Sequence, residues 1–377
     1  MVALVMAGFS QTIGLGFTSK RGLRVLAGDD YNDGFPSFLP KQVERIKDPF
    51  ARNLAQRIQR LPVKISVSES SIMSSCVKPL MQSDTTPVVL LHGFDSSCLE
   101  WRYTYPLIEE AGIETWAIDI LGWGFSDLEK LPSCDVASKR EHLYQLWKSY
   151  IKKPMVLVGP SLGAAVAIDF AFNHPEAVSK MVLIDASVYT EGTGKLSTLP
   201  RAVAYAGVSL LKSIPLRLYA NFLTFNSISF TTSIDWTNVG RLHCLLPWWE
   251  DATVNFMVSG GYNVGEQIEQ IKQETLIIWG EDDQIISNQL ATRLHGKLPN
   301  AIIRQISDCG HLPHVEKPDS VAKLIVDFVQ GVDSHKHIAP FNAKGLAFSR
   351  ALRIKTSLIS SRKDIMVLLI IRLMKFS

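Results

Sequence analysis

Short apolar runs recur along the chain, separated by stretches in which apolar positions have helical spacing. Nearly unbroken apolar runs of this length are typical of strands buried on both faces of a parallel sheet. The stretches between them, such as 99–111 and 136–151, are long enough for helices that cover the sheet. The predicted strands are 64–67, 72–77, 87–91, 115–119, 155–158, 180–185, 275–279 and 301–306. The alternation predicts an α/β fold with a doubly wound, mostly parallel sheet and right-handed crossovers.

One long interval interrupts this alternation. About ninety residues lie between Asp185 and Thr275, with helical periodicity and no strong strand pattern. A structureless loop of that length is uncommon in a compact domain. We therefore predict an inserted helical lid over about 188–272. Its large apolar residues would pack the lid against the body, and some of them would line a cavity beneath it.

The alternating pattern sets the expected domain limits at about 62–330. Residues 1–61 are expected to form an N-terminal extension, with a short helix at 42–59, and 331–377 a weakly ordered tail. From residue 335 onward the tail carries nine basic residues and one acidic residue, a net charge of +8. Its last apolar run is too short to span a bilayer. The tail or the lid can instead contact a membrane surface peripherally.

The composition and charge of the chain indicate its cellular location and limit the kinds of partner that it can bind. Residues 1–28 contain no Asp or Glu, and Lys20, Arg21 and Arg24 follow their apolar residues. A secretory signal has the opposite order, so we predict an organelle transit peptide, for a chloroplast rather than a mitochondrion. The alternative is an ordinary flexible N-terminus on a cytoplasmic protein. The five scattered cysteines lack a CxxC pattern, which favours reduced thiols inside a cell. A net charge of only +3 gives no indication of nucleic-acid binding. The oligomeric state has no sequence signal.

The sequence Gly159-Pro160-Ser161-Leu162-Gly163 follows an apolar strand and opens a small-residue helix. This G-x-S-x-G pattern in a strand–turn–helix context is typical of a nucleophilic serine on a sharp turn. The turn would present the Ser161 hydroxyl at the strand end, and the N–H of Leu162 would point toward a developing oxyanion. A serine in an ordinary tight turn gives the same five-residue match. Other residues of the chain are therefore needed to distinguish a nucleophilic serine from an ordinary one.

A nucleophilic serine needs a base and an acid. His311 directly follows the last predicted strand, and the carboxyl ends of parallel strands meet at one edge of a sheet. His314 is the weaker alternative. Asp282 and Asp283 follow the strand 275–279, and Asp185 follows the strand before it. Any of the three carboxylates can orient the histidine. The loop after 87–91 can supply a second oxyanion N–H, from Phe94.

These motifs together resemble the α/β-hydrolase family, in its lid-bearing serine hydrolase form. The resemblance covers about 62–330 and rests on motifs in the family's order: Leu91-His92-Gly93-Phe94, Asp119-x-x-Gly122-x-Gly124-x-Ser126-Asp127, Gly159-x-Ser161-x-Gly163, Gly280-x-x-Asp283 and Gly310-His311-x-Pro313-x-x-Glu316-x-Pro318. It implies a triad of Ser161, Asp283 and His311. Pro160 departs from the family pattern, in which a histidine often precedes the nucleophile.

The resemblance implies cleavage of a carboxylic ester through an acyl-enzyme, with Phe94 and Leu162 N–H groups as the oxyanion hole. The expected partner is a small-molecule ester with an apolar acyl or alcohol group, and no metal or organic cofactor is required. An acyl-transferase or a C–C bond hydrolase would use the same triad. A ligand receptor on the same fold is the alternative outside the enzymes. Turnover of graded acyl esters separates these possibilities.

Overall fold

A computed structural model describes residues 34–66, 68, 70–82, 85–189, 198 and 200–332. The predicted transit segment 1–28 and the tail from 333 onward lie outside these residues. The described part contains one eight-stranded sheet. Its strands are β1 (Ile58–Val63), β2 (Ile72–Val77), β3 (Val88–Leu90), β4 (Thr115–Ile118), β5 (Met155–Pro160), β6 (Val178–Ile184), β7 (Glu274–Gly280) and β8 (Ala301–Ile306).

The sheet has the strand order β1-β2-β4-β3-β5-β6-β7-β8. β1 pairs with β2, and β2 with β4, in antiparallel fashion, whereas all pairs from β4 to β8 are parallel. The strand order reverses around β3 and β5, and such a switch point opens a crevice at the carboxyl ends of the strands. The predicted mostly parallel, doubly wound sheet is confirmed.

The strands separate two hydrophobic cores. Val89 and Leu157 belong to one core, while their chain neighbours Val88 and Val158 belong to the other. β3 and β5 are buried at every position, because each pleat turns successive side chains to opposite faces and both faces are covered. The near-continuous apolar pattern of these strands therefore reflects burial on both sides.

The helices fill both faces and form the lid. They are α1 (Pro49–Gln56), α2 (Thr104–Glu110), α3 (Val136–Leu146), α4 (Leu162–Asn173), α5 (Arg201–Leu211), α6 (Ile214–Thr224), α7 (Phe230–Arg241), α8 (Trp249–Val258), α9 (Asn288–Lys297), α10 (Pro313–Glu316) and α11 (Pro318–Gln330). Four of them, α5 to α8, lie within the predicted lid, of which residues 190–197 and 199 are outside the described part. No helix among the described residues is long and apolar enough to cross a bilayer.

The first strand lies earlier than predicted. The sequence pattern predicts a strand at 64–67 and a helix over 42–59, but α1 ends at Gln56 and β1 occupies Ile58–Val63. β1 is an edge strand with polar residues and Pro62 within it, and an edge position tolerates both. The boundary expected at residue 62 thus falls inside a paired strand. Residues upstream of it, including Val43 and Leu54, are buried in the core.

All five cysteines are buried free thiols. Burial raises the pKa of the Cys76 thiol to about 12, so at neutral pH this sulfur is protonated and unreactive. The expectation of reduced, buried thiols agrees with the structure.

Candidate active site

Ser161 stands at a sharp turn between β5 and α4. Its backbone has φ 48° and ψ −120°, a conformation that costs free energy in any residue with a Cβ. The turn is possible because a Cβ on Gly159 would lie 2.2 Å from the carbonyl oxygen of Gly163. A Cβ on Gly163 would meet the carbonyl oxygen of His92 at 2.7 Å. The two glycines let strand and helix approach closely, as the sequence motif requires.

The structure brings Ser161, His311 and Asp283 into one hydrogen-bonded row. His311 Nδ1 donates to Asp283 Oδ2 at 2.7 Å, and Ser161 Oγ donates to His311 Nε2 at 3.0 Å. Asp283 Oδ1 also accepts the backbone N–H groups of Ile285 and Ile286. The Asp283 carboxylate is inaccessible to solvent. This arrangement fixes the tautomer that leaves Nε2 free to accept the serine proton.

The other aspartates and the other histidine that the sequence offers as alternatives lie outside this hydrogen-bonded row. Asp282 is exposed and accepts from the side chain of Asn226 at 2.9 Å. His314 is buried and contacts Glu100 rather than Ser161, with Nε2 2.9 Å from Glu100 Oε1. Asp185 lies close behind Asp283 and accepts from the N–H of Gly280 at 3.0 Å. The sequence motif therefore selects the aspartate that contacts His311.

Two buried side chains hold the loop that contains Phe94. His92 Nδ1 donates to the carbonyl oxygen of Gly93 at 2.7 Å, and its Nε2 accepts the N–H of Ile120 at 3.0 Å. Burial lowers the pKa of His92, which keeps this ring neutral and able to make both bonds. Glu100 accepts the Gly93 N–H at 3.2 Å. The loop is thereby anchored on both sides beside Ser161.

Glu100 connects this loop to the segment that carries His311. Burial acts to raise the pKa of Glu100, but the hydrogen bond and charge of His314 offset it, and the pKa lies below its ordinary value. A Cβ on Gly93 would lie 3.6 Å from Glu100 and 3.7 Å from the Ser161 side chain. The Glu100–His314 pair therefore lies just behind the predicted oxyanion hole, and sequence analysis did not identify it.

A second buried cluster connects the loop that contains Phe94 to the lid. Asp95, the residue after Phe94, pairs with Arg217 of α6 at 2.5 Å. The Asp95 carboxylate also accepts from His243 Nε2 at 3.0 Å and Trp249 Nε1 at 2.8 Å. Burial acts to lower the pKa of His243, but Cys244 and Asp95 raise it to about 9. No local sequence pattern indicates this cluster, because Asp95 lies more than a hundred residues from Arg217 and His243.

A cavity of about 200 Å³ lies between the lid and the sheet. Phe94, Ser161 and His311 line it together with lid residues of α6 and α7. Its charged lining side chains all have partners: Asp95 pairs with Arg217, Arg102 with Asp48, and Glu100 with His314. Pockets for drug-sized ligands occupy about 300–1,000 Å³. A long substrate would therefore have to displace lid side chains.

Phe94 packs in a group of aromatic side chains with Trp123 and Phe256. The rings of Phe94 and Trp123 lie 5.2 Å apart edge to face, and Trp123 also packs against Phe256. Lys139 Nζ stands 3.9 Å from the Trp123 ring centroid and donates to the carbonyl oxygen of Leu121. Burial lowers the pKa of Lys139 to about 8.

The family model for the alpha/beta hydrolase fold matches residues 86–318. The chain belongs to the α/β-hydrolase family. This α/β-hydrolase is 64% identical over 302 residues to the alpha/beta hydrolase domain-containing protein VTE7 of Arabidopsis thaliana, covering 79% of the chain and 92% of that protein. It is also 27% identical to a 2-hydroxy-6-oxononadienedioate/2-hydroxy-6-oxononatrienedioate hydrolase of Cupriavidus pinatubonensis, over 64% of the chain and 86% of that protein.

The fold is similar to that of a thermophilic esterase from Thermogutta terrifontis, with a TM-score of 0.60 and 17% identity. The match covers 73% of this α/β-hydrolase and 99% of the esterase. The family and its hydrolase relatives identify the chain as a hydrolase. They do not specify which bond it cleaves.

Proposed function

We propose that this α/β-hydrolase is a serine hydrolase that cleaves an uncharged carboxylic ester with an apolar acyl or alcohol group. Ser161 attacks the ester carbonyl while His311 Nε2 takes the serine proton. His311 then gives that proton to the leaving alcohol, and Asp283 holds the imidazole in place. The N–H groups of Phe94 and Leu162 stabilise the oxyanion. Water hydrolyses the acyl-enzyme by the same steps in reverse order.

The pairing of every charged side chain that lines the cavity supports this substrate class. The dioate substrates named for the Cupriavidus relative carry two carboxylates, and a site for them needs unpaired cations. In the described cavity, the guanidinium groups of Arg102 and Arg217 are already neutralised by Asp48 and Asp95. If either guanidinium group turned away to bind a substrate carboxylate, its partner, Asp48 or Asp95, would remain as a buried charge without a counter-ion. Such a charge is costly. A neutral ester avoids that cost.

A fluorophosphonate probe and a substrate panel test the proposal. The probe should label Ser161 in the wild type and in Ser179→Ala, an exposed serine on β6, but not in Ser161→Ala. Loss of the nucleophile should leave only ~10³–10⁴-fold catalysis over water. Neutral acyl esters of graded chain length should have higher kcat/KM than a 2-hydroxy-6-oxo-dienedioate. Persistent labelling of Ser161→Ala, or preference for the dioate, would contradict the proposal.

The same panel distinguishes the alternative activities. Release of free acid marks hydrolysis, whereas transfer of the acyl group to an added alcohol in preference to water marks an acyl-transferase. A ligand receptor would bind the ester and turn over no more than one equivalent.

We also propose a chloroplast location. The acid-free segment 1–28 and the close plant relative support it. A fluorescent protein fused after residue 33 should be imported by isolated chloroplasts and shortened on import. Import by mitochondria alone would contradict it.

A further inference from the structure

Asp185 is a buried carboxyl group without a role in the proposed mechanism. It follows β6, has no solvent exposure and has φ 41°. Its backbone N–H donates to the carbonyl oxygen of Ile278, and its carboxyl group accepts from Gly280 N at 3.0 Å. Both contacts fix Asp185 against β7, the strand that leads into the loop of Asp283. A strained residue held this firmly at a site indicates a functional constraint.

The Asp185 side chain reaches the acid of the proposed triad. Carboxyl oxygens of Asp185 and Asp283 and a ring nitrogen of His311 all lie within 4.8 Å of one another. Both carboxyl groups are shielded from solvent. Two ionised carboxylates this close in a buried site repel one another strongly, so one of them holds a proton.

The surroundings place this proton on Asp185. Asp283 accepts three N–H groups, from Ile285, Ile286 and His311, and such donors favour the ionised form. Within the described part of the chain, Asp185 accepts only the single N–H of Gly280. Burial and the charge of Asp283 raise the pKa of Asp185 well above its ordinary value, and the more distant Glu316 acts in the same direction. The His311 ring and the buried Cys309 thiol are further titratable groups close to it.

We propose that Asp185 is a positioning residue, kept as a neutral carboxylic acid that donates a hydrogen bond to Asp283. This bond holds Asp283 with Oδ2 toward His311 Nδ1. Because Asp185 is neutral, only one negative charge lies behind the imidazole. If Asp185 were also ionised, its negative charge would favour the protonated form of the His311 imidazole. Fewer molecules would then have a neutral His311 that can accept the serine proton. The proposal rests on the proposed function, in which His311 activates Ser161.

Three variants of the full chain test it through the rate of fluorophosphonate labelling of Ser161 as a function of pH. Asp185→Asn keeps the shape, the neutrality and an N–H donor. Its labelling rate should stay within about threefold of the wild type, and the acid limb of its profile should not move. Asp185→Ala removes the donor and should slow labelling by ~10–10²-fold, since small misplacements of catalytic groups cost that much. Asp282→Asn is the matched control with an exposed carboxyl group.

An infrared measurement makes the result independent of activity. The wild type should show the carbonyl stretch of a buried protonated carboxyl group, and Asp185→Asn should lack it. Absence of that band from the wild type, or an acid limb that moves to lower pH by about one unit in Asp185→Asn, would overturn the proposal, because removing an ionised neighbour has that effect. Full labelling of a folded Asp185→Ala would also overturn it. Failure of the wild type to label at all, with the infrared band present, would instead refute only the proposed nucleophile.

Discussion

Five non-glycine residues of the described chain have positive φ, and three of them surround the site: Asp95, Ser161 and Asp185. Each follows a strand and directs a polar side chain toward the cavity or the triad. Positive φ costs about 1–3 kcal/mol per residue, and hydrogen bonds at each position hold the strained conformation. Strain in the described chain is thus concentrated where side chains must be aimed accurately.

Asp283→Asn tests the acid of the proposed triad. The substitution keeps the fold, because Oδ1 still accepts the N–H groups of Ile285 and Ile286. It should lower kcat by up to ~10⁴-fold, because the amide favours the wrong imidazole tautomer. Steady-state hydrolysis of a neutral ester measures the effect. The control is Asp282→Asn, one residue away. Because Asp282 is exposed and does not contact His311, its substitution should change kcat less than threefold. Equal losses of kcat in the two variants would remove Asp283 from the mechanism.

Lys139 predicts a pH dependence of stability. Its pKa is about 8 in the folded state, against an ordinary lysine pKa of 10.5, so between these two pH values the unfolded chain binds more protons. Stability contributed by this group therefore rises with pH across that window, by ~3 kcal/mol in total. Below pH 8 the buried ammonium is destabilising, although Leu121 and the Trp123 ring partly compensate for it.

Lys139→Met isolates this effect from the other groups that titrate at high pH. The free energy of unfolding of Lys139→Met minus that of the wild type should be most positive at pH 7 and should decrease as the pH approaches 10. Urea unfolding of both proteins at matched pH values measures the difference. A difference that is constant with pH would mean that Lys139 has an unperturbed pKa.

At the scale of elements, polar contacts attach both ends of the lid helix α6 to loops of the candidate site. Arg217 of α6 pairs with Asp95 in the loop that contains Phe94. At the other end of α6, the carbonyl oxygen of Thr224 accepts the N–H of His311 at 2.7 Å. A movement of α6 would therefore change the position of both Phe94 and His311. The lid is a structural support for the site as well as its cover.

Arg217→Met tests the first of these attachments. The variant leaves Asp95 with His243 and Trp249 as partners and removes the guanidinium group that pairs with it. Breaking a buried pair costs about 3–5 kcal/mol, and displacement of Phe94 should lower kcat/KM by ~10²-fold. Lys212→Met, which removes a nearby charge that does not contact Asp95, is the control. Arg217→Met/Asp95→Asn should recover part of the thermal midpoint, and a strictly additive double variant would show that the pair is not coupled.

The elements differ in how well the sequence predicts them, for physical reasons. Ser161, Asp283 and His311 each follow an apolar run, so local pattern and the geometry of parallel strands are enough to place them at one edge. β1 lacks that pattern because an edge strand exposes polar residues and tolerates Pro62. The contact of Asp95 with Arg217 spans 122 residues and depends on the rotation of α6, which no local pattern specifies.

At the scale of the whole molecule, residues 35–61 belong to the folded body. Asp48 caps α1 by accepting the N–H groups of Phe50 and Ala51. The same carboxylate pairs with Arg102, which lines the cavity. The segment that the sequence pattern treats as an extension therefore supplies the counter-charge of a cavity residue.

Nested truncations test this integration. A chain that starts at Gly34 should keep the thermal midpoint and hydrolysis rate of the full chain, because the packing described above begins beyond it. Removal of residues 333–377 should also have little effect, since every motif lies between Leu91 and Pro318 and α11 ends before the cut. A chain that starts at Pro62 loses α1, most of β1 and Asp48.

That last truncation should give little soluble folded protein, because the apolar surface under α1 and the paired edge of β2 become exposed and Arg102 is left as a buried, unpaired charge. Thermal unfolding and ester hydrolysis of the soluble fraction measure the outcome. Asp48→Ala in the full chain separates the charge from the packing: it should keep the fold at a lower thermal midpoint, with a loss of kcat/KM for neutral esters. Unchanged stability and hydrolysis in the chain that starts at Pro62 would show that residues 35–61 are dispensable.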